Sequence, residues 1–219
     1  GRGNRGSSSS NDPFWDNNGK ALLTAFILAA LLAEPRNRTL AQIYDDLHSD
    51  DVVYNTAVLL DTRGGGKNKK GKGRRGRPEP GQLHPVAAAE MAVWLQMPEL
   101  TRGGVLSTTQ SYLKIFSSDS VLESLGQTSF SVDAFIAGAP MTIYLVLPVD
   151  KLGSHAALLR MWISTFVRLI YTRVAVPATP TLFLVDEAAQ LGYLEELEKA
   201  MTVGMGFGLQ VWTFWQDFA

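Results

Sequence analysis

The sequence predicts an α/β protein in which an all-helical region precedes a parallel sheet. Up to about residue 130, apolar residues recur at three- and four-residue spacing between capping residues and prolines, as in amphipathic helices. Beyond that point, short apolar runs alternate with helical stretches in the order strand, helix, strand, helix, strand. This order is typical of a parallel sheet whose strands are joined by helical crossovers.

The composition excludes several classes of protein. The 219 residues include 20 Lys+Arg, 21 Asp+Glu and 46% hydrophobic residues, which is enough apolar material for a folded core. The absence of Cys rules out disulfides, thiolate zinc sites and cysteine nucleophiles, and three scattered His residues argue against a His-based metal site. Because the first residue is Gly rather than Met, we expect the chain to be part of a longer protein.

The first helix is expected after Asp16 or Asn17, either of which can cap it, and Pro35 ends it. Its apolar run, residues 21–33, has 13 residues. A helix that crosses a bilayer needs roughly 20 consecutive apolar residues. The run therefore predicts a buried helix rather than a membrane span.

Capping residues and prolines predict five further helices. Thr39 and Gln42 match a capping box, and Pro85 suits the first position of a helix. The predicted stretches run from Thr39 through Leu47, from Ser49 or Asp50 to near Leu60, from Pro85 to Met97, and over residues 105–116 and 120–125.

A strongly basic stretch, RGGGKNKKGKGRRGR, occupies residues 63–77 and leaves 12 basic against 21 acidic residues elsewhere. Six of its fifteen residues are Gly, so residues 63–80 are predicted to form a mobile loop. One interpretation is binding to nucleic-acid phosphates or to an acidic partner, and the other is a solvated insertion between two helices. The candidates for phosphate contacts are Lys67, Lys69, Lys70, Lys72, Arg74 and Arg75.

Three apolar runs are predicted to form the strands. Residues 141–147 (MTIYLVL) are apolar and rich in β-branched side chains between two prolines, which suits a strand buried on both faces. Residues 181–185 (TLFLV) and 209–215 (LQVWTFW) are the second and third strands. A long helix capped by Ser154 and a helix at 194–203 are expected to connect them.

Two adjacent acids, Asp186 and Glu187, directly follow the second predicted strand. At this edge of a parallel sheet, nucleoside triphosphatases hold Mg²⁺ with one acid, usually through water, and a second carboxylate can polarise the attacking water. Gln216 follows the third strand and is expected at the same edge, where its amide can contact a terminal phosphate. Alternatively, the acids only mark a solvated strand end and cap the next helix, and Gln216 is a turn residue.

The sequence also predicts the surroundings of several large side chains in apolar segments. Arg160 is expected either to pair with a carboxylate such as Asp150 or to point towards a subunit boundary. Trp15 is expected to fix the start of the first helix. Four other tryptophans are expected in the core, namely Trp94, Trp162, Trp212 and Trp215.

Three longer segments resemble the TraG-type coupling proteins of type IV secretion and bacterial conjugation. They are FWDNNGKALLTAFILAALLAEP, TIYLVLPVDKLGSHAALLR and LFLVDEAAQLGYLEELEKAMTVGMGFGLQVWTFWQD; their order agrees with that family, and the match covers most of residues 13–219. The resemblance implies part of a RecA-like P-loop NTPase sheet with an inserted all-α domain. The implied domains are a flexible linker at 1–13, the inserted helical domain at 14–130 and part of the nucleotide-binding domain at 131–219.

The resemblance also implies residue roles, cofactors and partners. Asp186 and Glu187 look like the Walker B acids, Glu187 being catalytic, and Gln216 looks like the glutamine of the downstream sensor strand. ATP and Mg²⁺ would be the cofactors of the intact protein. Implied partners are a relaxase or relaxosome with single-stranded DNA, or a secreted protein substrate, together with the type IV secretion channel and further copies in a homo-hexamer. The implied location is the cytoplasmic face of the bacterial inner membrane, with the membrane anchor outside this chain.

The chain departs from the family pattern in two places. It contains no phosphate-loop motif G-x-x-x-x-G-K-[ST], so the chain alone is expected not to hydrolyse ATP. Met205 stands where many members carry a basic residue just before a Gly-aromatic-Gly segment. The expected function of the intact protein is a coupling ATPase that recruits and pumps DNA or protein substrates to the channel. The alternative is a non-catalytic helical docking module, or a truncated relative without ATPase activity.

Overall fold

The computed structural model of the chain describes residues 13–64, 80–186 and 188–215. The chain divides into two compact units, Gly1–Gly126 and Gln127–Ala219. In their described parts the first unit is helical, and the second combines helices with a two-stranded parallel sheet. The predicted α/β class is therefore confirmed. Most of the predicted basic loop, residues 65–79, lies outside the described residues.

The described part of the first unit is built from α-helices packed around α1. The helices are α1 (Pro13–Ala30), α2 (Leu40–Leu47), α3 (Val52–Arg63), α4 (Pro85–Gln96), α5 (Glu99–Tyr112) and α6 (Asp119–Leu125). α1 packs against α4 and α5. Leu22 of α1 and Trp94 of α4 are 1% and 2% exposed, so the core lies between these helices. Within residues 13–64, 80–186 and 188–215, no helix combines the length and apolarity needed to span a bilayer.

Side-chain caps set the first turns of α2 and α3. The Thr39 hydroxyl accepts a hydrogen bond from the Gln42 N–H at 3.2 Å, which confirms the predicted cap of α2. α3 is capped by Asp51, whose carboxylate accepts a backbone N–H at 2.8 Å, and the prediction of Ser49 or Asp50 was wrong. Neighbouring polar residues offer equivalent caps in the sequence, and only the backbone geometry selects one of them.

α5 begins directly after Pro98, six residues before the start predicted at residue 105. Two consecutive glycines, Gly103 and Gly104, lower the intrinsic helix propensity of this stretch. The second glycine has a packing role, because a Cβ on Gly104 would lie 2.6 Å from a ring carbon of Trp15. The tertiary contact with α1 therefore favours a helix where local propensity does not.

Asp16 lies inside α1 rather than before it, and its carboxylate connects α1 to α5. It accepts hydrogen bonds from Lys20 at 2.6 Å and from the Tyr112 hydroxyl at 2.7 Å, and these lower the pKa of Asp16. Burial, followed by the hydrogen bond to Asp16, raises the pKa of Tyr112 to about 12. The folded unit thus holds the phenol proton more tightly than the unfolded chain does.

This raised pKa predicts a loss of stability at high pH. The contribution of Tyr112 is complete below its ordinary pKa of 10.0 and is expected to be lost as the pH rises to about 12. Ultraviolet titration of the chain and of a Tyr112→Phe variant measures it, since the difference isolates one phenol. A difference titration centred near pH 10 would contradict the expectation.

The second unit places a parallel sheet next to a long helix. Its elements are α7 (Val132–Ala137), α8 (Leu152–Tyr171), β1 (Thr181–Val185), α9 (Glu195–Val203) and β2 (Leu209–Thr213). β1 and β2 pair in parallel, with Thr181 opposite Leu209 and Val185 opposite Thr213, so both predicted strands and their direction are confirmed. Val167 and Ile170 of α8 are fully buried in the core cluster that packs against one face of the sheet.

The predicted cap of α8, Ser154, was wrong by three residues, because the residue that precedes the helix is Lys151. α8 begins at Leu152, directly after a 3-10 turn at Val149–Lys151. Ser154 lies in its first turn, where the hydroxyl is 3.3 Å from the Lys151 carbonyl and 2.7 Å from His155 Nδ1. The 3-10 turn leads straight into the helix, so the chain enters α8 before reaching the serine.

Residues 141–147 do not form the predicted strand. They are irregular, and Tyr144 and Val146 are 82% and 84% exposed. In the described part of the chain the sheet consists of β1 and β2, so this segment has no ladder partner there. Apolar, β-branched composition indicates the capacity to form a strand, but a strand also needs a neighbour for its backbone groups.

The sheet is buried on one face and exposed on the other. Phe183, Val185 and Val211 pack against the core cluster. Leu184 is 60% exposed, so β1 is not buried on both faces. The expectation of core tryptophans was wrong for Trp212, which is opposite Leu184 and 56% exposed, and for Trp215, which is 54% exposed.

Candidate functional site

Asp186 is exposed at the carboxyl end of β1, as the sequence predicts for the first of the two acids. Backbone hydrogen bonds to Phe214 lie on either side of it. The Phe214 N–H donates to the Val185 carbonyl at 2.9 Å, and the Ala188 N–H donates to the Phe214 carbonyl at 3.0 Å. The chain is therefore fixed to the neighbouring strand both before and after positions 186 and 187.

The other predicted site residues fall outside the described part of the chain. Glu187 and Gln216 are among them. Continuing the β1–β2 register by one residue would place Asp186 opposite Phe214, with Gln216 two positions further along the chain. The meeting of Asp186, Glu187 and Gln216 at one edge stays a prediction. Also outside the described residues are Lys67, Lys69, Lys70, Lys72, Arg74 and Arg75.

A short 3-10 turn, Ala188–Leu191, follows the acids and is fixed at both ends. Ala188 and Leu191 are 2% and 4% exposed. Arg160 of α8 donates from Nη1 to the Leu191 carbonyl at 3.1 Å, so its described partner is a carbonyl and not a carboxylate such as Asp150, the first of its two predicted roles. The Asp150 carboxylate oxygen Oδ2 lies 3.6 Å from Nζ of Lys151 instead.

Arg173 is a site-supporting residue that the sequence reasoning missed. It is 9% exposed, and this burial lowers the pKa of its guanidinium. All of the hydrogen bonds described for it go to neutral acceptors, at distances of 2.7–3.3 Å. The acceptors are the carbonyls of Phe135, Ile136, Phe207 and Gly208 and the hydroxyl of Thr181.

These acceptors explain how a buried cation is tolerated. Phe135 and Ile136 lie in the last turn of α7, and Phe207 ends the 3-10 turn Gly204–Phe207, so their carbonyls carry the negative ends of helical dipoles. The planar guanidinium can reach several of them at once. Thr181 is the first residue of β1, and Gly208 directly precedes β2, so Arg173 holds both strands at their starting ends. The sequence signal was a basic residue just beyond the carboxyl end of a long helix.

Met205 lies on the surface, 64% exposed, in the 3-10 turn before β2. With Met201 and Trp212 it lines a shallow groove beside β2. The glycine that ends the MGFG segment is required by the backbone, because Gly208 has φ +69° and a Cβ there would lie 2.9 Å from Cδ of Pro177. Gly208 therefore has a structural role that does not depend on the identity of residue 205.

The residues at the strand end fit Mg²⁺ held largely by water. Among the described residues, no three His, Asp or Glu side chains gather into a metal site. Mg²⁺ commonly takes one or two carboxylates, with water and substrate phosphates completing its six ligands. An exposed carboxylate at the carboxyl end of a parallel strand, as at Asp186, meets that requirement.

Comparison with known proteins gives conjugation proteins as relatives. The chain is 28% identical over 185 residues to the conjugal transfer protein TraG of Agrobacterium fabrum, covering 84% of this chain and 23% of that protein. It is 26% identical over 213 residues to TraG of Rhizobium radiobacter, covering 96% and 30%. It is also 26% identical over 133 residues to the type IV secretion system-coupling protein VirD4 of Bartonella quintana, covering 61% and 21%.

The chain therefore spans less than a third of the length of each of these relatives. No solved structure is significantly similar to it. The family model described as type IV secretory system conjugative DNA transfer matches residues 3–219 and so includes both units. This match confirms the TraG-type resemblance, and the chain belongs to the type IV secretory system conjugative DNA transfer family.

Proposed function

We propose that the chain is part of a coupling ATPase of type IV secretion and conjugation, and that the second unit is part of its RecA-like nucleotide-binding domain. The observation that carries the proposal is Asp186 at the carboxyl end of β1, beside a parallel strand whose Phe214 is hydrogen-bonded on both sides of the acids. Ligands of open α/β sheets bind outside the carboxyl ends of the strands. Similarity to TraG and VirD4 proteins supports the same assignment.

The proposed chemistry divides the work between three side chains. Asp186 orients the water ligands of Mg²⁺, which when bound would neutralise charge on the phosphate oxygens. Glu187 accepts a hydrogen bond from the attacking water and aligns it with the terminal phosphate. Gln216 contacts that phosphate and reports its loss to β2. Because the chain carries no phosphate loop, binding of the triphosphate requires a further segment of the intact protein.

The proposal extends to the intact protein. A hexamer at the cytoplasmic face of the inner membrane would move relaxase-bound single-stranded DNA, or a protein substrate, to the secretion channel. The names of the relatives, conjugal transfer protein and type IV secretion system-coupling protein, support this role. The helical first unit would be the domain inserted in the nucleotide-binding domain.

The test is a Glu187→Gln substitution in the full-length protein. We expect ATP hydrolysis to fall by about 10²–10⁴-fold, the range typical of a lost general base, while nucleotide binding is retained because the phosphate contacts are untouched. Steady-state phosphate release and equilibrium binding of a fluorescent ATP analogue measure the two effects separately.

Glu195→Gln is the matched control. Glu195 is exposed on α9 and pairs with Lys199, so the variant removes one negative charge away from the strand end. It is expected to leave turnover unchanged. Full turnover in Glu187→Gln, or an equal loss in both variants, would reject the assignment of Glu187.

The second candidate is a helical docking module without chemistry. It is favoured by exposed apolar side chains on two packed helices of the first unit. Tyr54 and Val58 on α3 are 64% and 41% exposed, and Val86 and Val93 on α4 are 47% and 52% exposed. A full-length protein that neither binds nor hydrolyses ATP in the experiment above would make this candidate the better one.

A further inference from the structure

The 3-10 turn after the acids is held against α8 by both apolar and polar contacts. Leu191 is 4% exposed within the core cluster, and α8 packs against the turn. The polar contact is the hydrogen bond from Arg160 Nη1 to the Leu191 carbonyl at 3.1 Å. Gly192, at φ +61°, directly follows the turn. The end of the turn therefore depends on a side chain from a helix 31 positions earlier in the sequence.

The start of the turn depends on Phe214, the residue that directly follows β2. The Ala188 N–H donates to the Phe214 carbonyl, and Ala188 is 2% exposed. Asp186 and Glu187 immediately precede it, so the turn is the support on their carboxyl side. Moving Leu191 away from α8 would transmit a shift through three residues to Ala188 and from there to the acids.

Two other arginines near the end of α8 have different partners. Arg168 is 73% exposed at its side chain and pairs with Glu196 of α9 at 2.6 Å. Arg173 bonds at the starting ends of the strands. Arg160 is the one of these three whose described hydrogen bond goes to the turn behind the acids, and it is half-buried in an otherwise apolar stretch of α8.

We propose that Arg160 is a positioning residue for the acidic pair, which it places by holding the Ala188–Leu191 turn against α8. The inference rests on the proposed nucleotide function and adds to it a residue that contacts neither nucleotide nor metal. Its effect belongs to the chemical step, because a general base must lie within hydrogen-bond reach of the water it activates. A misplacement of about 1 Å can cost about 100-fold in rate. Binding of ATP depends mainly on the phosphate loop, so the affinity for ATP is expected to change little.

The experiment compares Arg160→Gln, Arg160→Lys and Arg168→Gln in the full-length protein. For Arg160→Gln we expect kcat for ATP hydrolysis to fall at least 10-fold, with KM for ATP within about twofold of the parent. Arg160→Lys should recover part of the kcat, because an ammonium can donate one hydrogen bond to the same carbonyl. Arg168→Gln removes a cation from the same helix away from the turn and should match the parent. Thermal unfolding shows whether each variant is folded.

The outcomes separate this inference from the function on which it rests. If the parent hydrolyses ATP and Glu187→Gln does not, an unchanged kcat in folded Arg160→Gln overturns the positioning role alone. Equal losses in Arg160→Gln and Arg168→Gln overturn it as well, as does a loss confined to KM. If Arg160→Gln fails to fold, Arg160→Lys takes its place. A lowered kcat with an unchanged KM in that variant supports the positioning role, and an unchanged kcat or a loss confined to KM overturns it. A parent without ATPase activity, or an active Glu187→Gln, overturns the proposed function and the inference with it.

Discussion

Replacing Arg173 with Met is expected to lower the free energy of unfolding of the second unit by about 3–5 kcal/mol, because hydrogen bonds to a charged group contribute about 1.5–3 kcal/mol each and several are lost together. The methionine fills similar space but leaves the acceptors of the guanidinium, among them the Ile136 and Phe207 carbonyls, without their donor. Domains of this size are stable by about 5–15 kcal/mol, so much of the unit's stability would be lost. Urea unfolding followed by circular dichroism measures the change, and hydrogen exchange at β1 and β2 assigns it to this unit.

Two further substitutions test the reason for this loss. Arg173→Lys keeps the charge but has no planar fork, so we expect it to recover only part of the stability. Arg168→Gln removes an exposed ion pair from the same helix and should cost no more than about 1 kcal/mol. If Arg173→Met were as mild as Arg168→Gln, the hydrogen bonds of Arg173 would not be holding the strands.

Replacing Trp94 with Ala is expected to destabilise the first unit by about 3–5 kcal/mol. The indole is 2% exposed, and its Nε1 donates to the Arg102 carbonyl at 3.1 Å. Arg102 in turn donates to the Leu95 carbonyl at 3.2 Å, so the two bonds join the end of α4 to the start of α5 across Pro98. Removing the ring leaves a large cavity and one acceptor without its donor. Urea unfolding followed at 222 nm measures the loss.

Leu100→Ala is the matched control for Trp94→Ala. Leu100 lies at the same α4–α5 junction but is 90% exposed, so its truncation should change stability by less than about 0.5 kcal/mol. Trp94→Phe should fall between the two, because it keeps most of the packing and loses the indole hydrogen bond. A Trp94→Ala variant as stable as Leu100→Ala would mean that the junction is held by other contacts.

The candidate site in the second unit is supported at both ends of its strands. Arg173 fixes the starts of β1 and β2, while Arg160 and the backbone of Phe214 fix the chain around the turn after Asp186. The acidic side chains that we propose to place a metal ion and a water would gain precision from such support, since misplacement lowers the rate of the chemical step. Loss of stability and loss of turnover are therefore expected to be separate effects, the first at Arg173 and the second at Arg160.

Local sequence patterns were sufficient to predict the features that depend on neighbours along the chain. The cap at Thr39, the helix start at Pro85 and the position of Asp186 after an apolar strand are local signals, and the structure agrees with them. The family resemblance also came from residues in their order along the chain.

Features that depend on residues distant in the sequence became apparent from the packing of the folded chain. Residues 141–147 have strand composition but no partner for their backbone, and Trp212 lies on the sheet face that the described residues leave exposed. The acceptors of Arg160 and Arg173 are backbone carbonyls, which every residue carries, so no side-chain pattern could identify them. The acids of the candidate site could be proposed from the sequence because their chemistry resides in side chains. Their supporting contacts could not be predicted, because those hydrogen bonds end on main-chain carbonyls.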